Sequence, residues 1–234
     1  RGGFNGKVIA TQGLMSQLGL VDEEGQDEAR VYAGAGVSSA KLARFCSKNS
    51  LAGAEFFAGI PGLRGGALAM NAGALGGETW RHVVSVETID RHGVIHQRSP
   101  EDYRIGYRSV EGPVDEWFVS ALLRFDTEEN ASINIKQLLA KRAESQPTGT
   151  ANCGSVFRNP ENDYAARLIE QCGLKGERIG GAVVSEKHAN FIINDRQATA
   201  GDIEALIELV QKTVKREASI DLQTEVKIVG EKQS

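Results

Sequence analysis

Seven glycines lie between Ala58 and Gly77, in the segment AGIPGLRGGALAMNAGALGG. Because glycine has no Cβ atom, a ligand can come close to the backbone of such a segment. The backbone N–H groups can then bind the oxygens of a pyrophosphate without help from lysine. Tight turns are the alternative explanation, but a turn needs only one or two glycines. The segment therefore predicts a cofactor-binding loop.

The standard nucleotide-binding fingerprints do not occur in the sequence. There is no GxxxxGK[ST] motif, and the pair Gly34 and Gly36 lacks the third glycine of a dinucleotide motif. The loop is therefore predicted to belong to a different nucleotide-binding fold.

A second cluster, CGSVFRNP, runs from Cys153 to Pro160. The glycine before Ser155 and the Asn-Pro pair after it favour a turn that exposes the serine hydroxyl. The GxSxG elbow is missing, so a hydrolase nucleophile is disfavoured. A helix or turn cap is the commoner role of an isolated serine. Ser155 is nevertheless a candidate catalytic hydroxyl.

Two charged residues complete the set of candidates. Arg108 stands in the sequence GYRS, and Glu225 stands at the head of a predicted final strand, VKIV at residues 226–229, which is apolar except for Lys227. Each of them taken alone fits ordinary surface charge. Their combination with the glycine-rich loop and Ser155 favours a site.

The composition is that of an ordinary globular protein. The chain has 234 residues, of which 41% are hydrophobic and 25% charged, enough for one large domain or two ordinary ones. A net charge of -4 with both signs interspersed leaves no cationic stripe for nucleic acid. No apolar run reaches the roughly 18 residues that span a bilayer, and RGGFNG at the start is not a signal peptide. A cytoplasmic protein is expected, with no nucleic-acid or membrane partner.

The cysteines and histidines do not suggest a metal site or a disulfide framework. The cysteines are odd in number and far apart in sequence: Cys46, Cys153 and Cys172. The histidines are His82, His92, His96 and His188. None of them forms an i, i+4 pair that has a Glu or Cys beside it, as a zinc site on a helix would need. No metal is predicted, and the compartment is expected to be reducing.

The first half of the chain has a mixed pattern of strands and helices. A glycine turn after the first strand leads into a helix capped by Ser38 or Ser39. The predicted strands are residues 30–33, 83–90, 94–97 and 117–125, of which the middle two form a hairpin.

The second half begins with a change of pattern, so the domain boundary is placed near Asp126. A helix is predicted over residues 128–145, with Ile135, Leu138 and Leu139 buried. Further predicted elements are a short helix ending at Gly173, a strand at 191–193, a long helix from Asp202 and a final strand at 226–229. The long helix carries an apolar stripe that reads as packing: Ile203, Leu206, Ile207, Val210 and Val214.

Several segments, in this order, resemble the UDP-N-acetylenolpyruvoylglucosamine reductase family. They are AGIPGLRGGALAMNAGALGG, GYR, SQP, CGSVFRNP, LIEQCGLKGERIGGAVVSEKHANFIIN, ATAGD and EVKIVG. The likeness covers nearly the whole chain and is most specific from Cys153 to Asn194. The compact spacing there is similar to the shorter of the family's two known types.

The resemblance implies an α+β fold with two domains. Residues 1–126 would be part of an FAD-binding domain of the PCMH or vanillyl-alcohol-oxidase type, and residues 127–234 an α+β domain that binds a UDP-sugar. The first residues, RGGFNGKVIA, resemble the middle of the family's flavin domain. The N-terminal subdomain, with its Gly-Ser-Asn loop, is therefore expected to be missing.

The resemblance also implies an activity, that of an NADPH-dependent flavoprotein, UDP-N-acetylmuramate dehydrogenase. NADPH would reduce FAD, and hydride would pass to C3 of UDP-N-acetylglucosamine enolpyruvate to give UDP-N-acetylmuramate. This step belongs to peptidoglycan synthesis, and through it to cell shape and division.

The site residues carried over by motif come from several parts of the chain. Ser155 would protonate C2, while Arg108 and Glu225, the latter as a protonated or proton-sharing acid, would stabilise the negative charge that builds on the substrate carboxylate. Asn159 would hold the substrate. The FAD contacts would come from Gly59, Ile60, Pro61, Gly62, Gly65, Gly66, Asn71, Ala72 and Gly73.

Some positions depart from the family pattern. Ser109 follows Arg108 without a spacer, Lys227 stands where arginine is common, and Ser145 stands where a basic residue is frequent. Two alternatives to the reductase stay open. One is a UDP-sugar-binding module without flavin or activity, and the other is a flavin oxidase of the same superfamily.

Overall fold

The computed structural model describes residues 1–11, 13–21, 28–127 and 135–231. Contacts within the chain divide it into two compact units. We call Ile9–Ala140 the large unit, and we call Lys141–Ser234 together with Arg1–Val8 the small unit. The predicted boundary near Asp126 lies before this division, and the assignment of FAD to one domain and UDP-sugar to the other stays a prediction.

The large unit is built on an antiparallel sheet. The strands of this unit are β1 Leu18–Val21, β2 Glu28–Gly34, β3 Leu51–Ala52, β4 Gly73–Ala74, β5 Gly77–Glu78, β6 Val83–Asp90, β7 Ile95–Arg98, β8 Arg104–Gly106, β9 Ser109–Glu111 and β10 Glu116–Thr127. The main sheet has the order β1-β2-β10-β6-β7, with β3 paired to β10. The pairs β4–β5 and β8–β9 form short ribbons.

Helices α1 Ser39–Lys48 and α2 Arg64–Ala69 pack beside this sheet and contribute buried residues to the core. Helix α3 Ile135–Ser145 follows β10, and the division between the units falls within it. Short 3-10 turns cover Glu55–Gly59, Thr79–His82 and Pro100–Asp102.

The core of the large unit follows from the alternation of side chains along β2 and β10. Val31 lies opposite Leu123, and Ala33 lies opposite Ala121, and all four are fully buried. Successive strand residues point to opposite faces, so this register places one apolar row in the core. Leu42 and other residues of α1 join the same cluster.

The small unit has a short sheet and two helices of its own. The strands β11 Arg178–Ile179, β12 Ala182–Val184 and β13 Ile192–Asn194 are antiparallel, and the helices are α4 Ala165–Gln171 and α5 Ala200–Ala218. A capping box begins α5, because Thr199 accepts the Asp202 N–H at 3.1 Å and Asp202 accepts the Thr199 N–H at 2.9 Å. The chain start joins this unit, since the Arg1 side chain pairs with Glu204.

Most predicted elements are confirmed. The strands near 30–33, 83–90, 94–97 and 117–125 correspond to β2, β6, β7 and β10. Ser38 caps α1 by accepting the N–H of Lys41. In α5 the predicted stripe is buried at Leu206, Ile207, Val210 and Val214, whereas Ile203 is half-buried.

Two predictions in the second half are wrong. Residues 226–229 form no strand; Thr224 makes an isolated bridge to Phe157, and Val229 is 66% exposed. Leu139, predicted to be buried, is 42% exposed on α3. The start of the helix predicted from residue 128 lies outside the described residues, which resume at Ile135.

Among the described helices, none is long and apolar enough to cross a membrane.

Candidate active site

The glycine-rich loop from Ala58 to Gly77 is fixed to the large unit by its own backbone. It joins the chain after β2 through hydrogen bonds from Arg64 N–H to Val37 O (2.8 Å), Gly65 N–H to Ala35 O (2.9 Å) and Ser39 N–H to Gly62 O (3.3 Å). The middle of the loop forms α2, and its last part forms the β4–β5 ribbon. The loop is therefore a structured part of the large unit.

Asn71 holds the turn between α2 and β4. It is 2% exposed and has a positive φ of 44°, a conformation that asparagine tolerates better than most residues. Its Oδ1 accepts the N–H of Trp80 at 3.1 Å, and its Nδ2 donates to the Gly106 carbonyl at 3.1 Å. Asn71 therefore joins the loop to the strand that leads to Arg108.

The Arg108 side chain contacts the same loop. Its Nη2 donates to the Gly73 carbonyl at 2.8 Å, and its Nη1 donates to the Asn71 carbonyl at 3.3 Å. Its guanidinium carbon lies 5.1 Å from the centre of the Tyr107 ring. Like Asn71, Arg108 has a positive φ, of 52°. The structure thus brings two sequence-predicted features, the glycine-rich loop and GYR, into direct contact.

Arg64 is an unexpected cation in the core of the large unit. It is fully buried, its Nη2 lies 3.3 Å from Ser39 Oγ, and its guanidinium stacks 4.0 Å from the centre of the Phe57 ring. Burial lowers the pKa of Arg64 to about 9 and raises the pKa of the neighbouring Cys46 to about 12. Its Nε and Nη1 have no hydrogen-bond partner within the described part of the chain.

Ser155 lies on a tight turn of the small unit. Gly154 before it has a φ of 84°, and the Gly154 N–H donates to Asn152 Oδ1 at 2.9 Å. Ser155 itself is half-buried. It caps no described helix, and in the described residues its hydroxyl makes no hydrogen bond. The commoner role of an isolated serine, that of a cap, is therefore not its role.

Glu225 lies beside the turn that carries Ser155. The backbone N–H groups of Glu225 and Val226 both donate to the Val156 carbonyl, at 2.8 and 3.4 Å. The Arg158 N–H donates to the Gln223 carbonyl at 2.9 Å, which extends the contact. Segments about 70 residues apart in sequence are thus paired, and two of the three predicted catalytic residues lie in the same unit.

The electrostatics of this turn agree with that pairing. Partial desolvation of the Cys153 thiol raises its pKa, and the charge of Glu225 raises it further. The Glu225 carboxylate is therefore close enough to act on a group two residues from Ser155.

Asn159 lies at the start of α4. Its Oδ1 accepts the N–H of Ala165, the first residue of α4, at 3.1 Å. This contact fixes the end of the CGSVFRNP segment against the helix. Its predicted contact with substrate stays a prediction.

Comparisons with known proteins identify the family of this chain. The profile of the UDP-N-acetylenolpyruvoylglucosamine reductase C-terminal domain matches residues 146–229, and that of an FAD binding domain matches residues 1–99. The UDP-N-acetylenolpyruvoylglucosamine reductase of Alkalilimnicola ehrlichii is 56% identical over 100% of this chain and 77% of its own length. That of Legionella pneumophila is 55% identical over 98% of this chain and 74% of its own length.

This chain belongs to the UDP-N-acetylenolpyruvoylglucosamine reductase family. The crystal structure of the UDP-N-acetylenolpyruvylglucosamine reductase from Thermus caldophilus agrees with this. It matches with a TM-score of 0.77 at 31% identity, over 85% of this chain and 72% of that one. The resemblance and the α+β fold with its flavin-binding domain are confirmed.

Reductases of this family depend on FAD, and the glycines of the loop fit that cofactor. A Cβ atom added at Gly73 or Gly77 would lie 2.4 Å from another atom of the chain, so packing alone requires these glycines. A Cβ atom added at Gly66 would meet nothing within 4 Å, and Gly66 does not have a positive φ. The fold gives no reason for glycine at this exposed position, whereas close approach of a ligand does.

The predicted FAD contacts divide by exposure. Pro61, Gly62 and Gly66 are exposed, and Gly65, Ala72 and Gly73 are half-buried. Gly59, Ile60 and Asn71 are buried in the unit's own core, where they shape the loop. The contacts of these residues with FAD stay predictions, and so do the catalytic roles of Arg108, Ser155 and Glu225.

Sequence reasoning missed one residue that orders the turn of this reductase. Asn190 is 3% exposed and holds the backbone of Phe157 through both ends of its amide. Asn190 belongs to the segment KHANFIIN, where a polar residue directly precedes an apolar strand. That position was the only signal available.

The described residues contain no group of three or more His, Cys, Asp or Glu side chains that could hold a metal ion.

Proposed function

We propose that this chain performs its family's reaction with Ser155 as proton donor, and that Arg108 and Glu225, the latter as a protonated or proton-sharing acid, stabilise the substrate carboxylate. The family reduces UDP-N-acetylglucosamine enolpyruvate to UDP-N-acetylmuramate in peptidoglycan synthesis, with FAD as cofactor and NADPH as hydride donor. The observation that carries the assignment is the pairing of the Ser155 turn with the Glu225 segment through the Val156 carbonyl.

The reaction needs a proton donor and a site for negative charge. When bound, FAD supplies the carrier that takes hydride from NADPH and releases it to C3 of the enolpyruvyl group. The electron pair then remains at C2, conjugated with the carboxylate, so charge builds on the carboxylate oxygens. A stabilising group must therefore act more strongly on this intermediate than on the substrate.

Ser155 fits the role of donor by position rather than by acidity. A serine hydroxyl is a weak acid in water, so it gives up its proton only to a strongly basic carbon held at hydrogen-bonding distance. Ser155 is half-buried and caps no described helix. After donating to C2, the serine oxygen regains a proton from solvent.

Arg108 fits the role of an anchored cation. Its hydrogen bonds to the Asn71 and Gly73 carbonyls hold the guanidinium on the loop that the cofactor approaches. Because its orientation is set in advance, its charge can stabilise an anion with little reorganisation. Glu225, in the small unit, is positioned by the hydrogen bond from its backbone N–H to the Val156 carbonyl.

The residues that would hold FAD lie on the exposed face of the loop. Pro61, Gly62 and Gly66 leave backbone open to a pyrophosphate. The large unit would then bind flavin and the small unit the UDP-sugar, with Asn159 on the substrate. Because the substrate is a nucleotide-activated sugar and the reductant is NADPH, the proposed compartment is the cytoplasm, and the proposed cellular role is in cell shape and division.

A visible spectrum tests this proposal. Purified chain mixed with FAD should show a shifted flavin band, which bleaches with NADPH under anaerobic conditions and returns only when the enolpyruvyl substrate is added. Return of the band with oxygen alone would indicate a flavin oxidase. A protein that stays colourless yet binds the UDP-sugar would indicate a binding module, and either result would contradict the proposal.

A further inference from the structure

Asn190 makes three hydrogen bonds to the two residues that follow Ser155. Its Oδ1 accepts the Phe157 N–H at 2.9 Å, and its Nδ2 donates to the Phe157 carbonyl at 2.8 Å. Its own carbonyl accepts the N–H of Val156 at 2.9 Å. The side chain thus pairs with the Phe157 backbone as a neighbouring strand would.

These bonds continue to Glu225. The Val156 carbonyl accepts the N–H groups of Glu225 and Val226. Val156 therefore has Asn190 on its N–H side and Glu225 on its carbonyl side. Asn190 thus holds the Val156 and Phe157 backbone directly after Ser155, and Glu225 is bound to the same backbone through the Val156 carbonyl. A displacement of Asn190 would therefore move the Ser155 turn relative to Glu225.

Asn190 is itself held rigidly. Ser185 is 2% exposed and accepts the N–H groups of Lys187 and His188 at 3.1 and 3.2 Å. Nδ1 of His188 accepts the Asn190 N–H at 3.3 Å. The turn between β12 and β13 thus fixes the backbone of Asn190 before its amide reaches Phe157.

An asparagine is the side chain that this position requires. The Phe157 N–H needs an acceptor and the Phe157 carbonyl needs a donor, and a side-chain amide carries both. Aspartate keeps the acceptor but would place a carboxylate oxygen against the Phe157 carbonyl. Alanine would leave two buried backbone groups without partners, which is costly.

We propose that Asn190 is a positioning residue for proton transfer, and that its amide sets the location of the Ser155 hydroxyl relative to the substrate. This inference rests on the proposed function, because it requires Ser155 to be the proton donor. It predicts that Asn190 variants bind FAD and accept hydride from NADPH as the natural chain does. Their defect lies in the step that consumes the enolpyruvyl substrate.

The test compares Asn190→Asp and Asn190→Ala with Ser155→Ala and the control Asn194→Ala. Asn194 is exposed on β13 and loses one hydrogen bond, to the Ala198 N–H at 2.7 Å. Each FAD-loaded chain is reduced by NADPH in a stopped-flow instrument and then mixed with enolpyruvyl substrate. Reoxidation is measured in H₂O and D₂O, and folding is checked by thermal unfolding.

Flavin reduction should be unchanged in Asn190→Asp, and reoxidation should slow about 100-fold, the effect of a misplacement of about 1 Å. The solvent isotope effect on reoxidation should rise, because proton delivery becomes the slow step. Loss of stability alone would not change this isotope effect. Asn194→Ala should match the natural chain in both steps. If Asn190→Ala does not fold, Asn190→Asp, which keeps the size and the acceptor, decides the result.

Two failures are distinguishable. If Ser155→Ala blocks reoxidation while Asn190→Asp behaves like Asn194→Ala, the inference about Asn190 is overturned and the proposed function stands. If Ser155→Ala reoxidises normally, the role of Ser155 is wrong and the inference about Asn190 is overturned with it.

Discussion

The Arg108 guanidinium donates a 2.8 Å hydrogen bond to the Gly73 carbonyl, and this bond fastens a predicted catalytic cation to the predicted cofactor loop. The two residues are 35 positions apart in sequence. Any change at Arg108 therefore acts on the loop as well as on its proposed contact with the substrate.

Arg108→Lys should weaken FAD binding about 10-fold. Lysine keeps the charge, but its compact ammonium cannot span the Asn71 and Gly73 carbonyls with two donors. Loss of one charge-assisted hydrogen bond is worth about 1.5 kcal/mol, which is roughly a factor of ten. Quenching of flavin fluorescence measures the affinity. The exposed Arg104 on β8 provides the matched control. Equal effects of Arg104→Lys and Arg108→Lys on FAD affinity would contradict the role of the two hydrogen bonds from Arg108 to the loop.

Asn71→Ala should destabilise the large unit more than Asn71→Gly. Both variants leave the buried Trp80 N–H without its acceptor, at a cost of about 1–3 kcal/mol. Only alanine must also adopt the positive φ of this position, at a further cost of about 1–2 kcal/mol. Urea unfolding monitored by tryptophan fluorescence measures both. A glycine variant as unstable as the alanine variant would show that the backbone conformation is unimportant here.

Arg64→Met should raise the free energy of unfolding of the cofactor-free chain by about 1–4 kcal/mol at pH 7. A buried cation with Nε and Nη1 unpartnered opposes folding, and methionine fills a similar volume. Because burial lowers the pKa of Arg64 to about 9 in the folded chain, the cost is complete below pH 9 and lifts as the pH rises above it. The advantage of Arg64→Met should therefore be smaller at pH 10 than at pH 7. Arg64→Lys should bring no gain, and a less stable Arg64→Met would refute this account.

The thiols should react with a thiol reagent in the order Cys153, Cys172, Cys46. Cys153 is exposed, Cys172 is half-buried, and Cys46 is buried with a pKa raised to about 12. The pKa of Cys153 is also raised, so its labelling should accelerate as the pH increases above neutrality. UDP-N-acetylmuramate should slow the labelling of Cys153, which lies two residues from Ser155. The variant Cys153→Ser identifies the fast phase, and a Cys153 phase unaffected by the product would place the substrate elsewhere.

The sequence predicted those features that depend on local patterns. Ser38 could be identified as a cap because capping acts over three residues. The apolar residues between Leu206 and Val214 could be identified as core because their helical spacing places them on one face of the helix. The glycine-rich loop was recognisable by composition. None of these predictions required knowledge of how distant segments meet.

Other features depend on distant contacts, and there the sequence was insufficient or misleading. The segment VKIV at residues 226–229 has the pattern of a strand, but pairing beside it stops at the bridge between Thr224 and Phe157. Asn190 acts on Phe157 across 33 residues, and its type alone did not suggest that contact. Residues such as Gly73 and Gly77 proved to be required by packing, whereas Gly66 did not.

The central claim is that Ser155 protonates the substrate, and Ser155→Ala tests it most directly. Reduction of bound flavin by NADPH should proceed at the natural rate, because Ser155 has no part in it. Reoxidation by the enolpyruvyl substrate should slow by roughly 100-fold to 10,000-fold, the usual contribution of a positioned general acid. Ser155→Cys, which keeps a proton donor, should recover part of the rate. Reoxidation of Ser155→Ala at the natural rate, with UDP-N-acetylmuramate as product, would contradict the account.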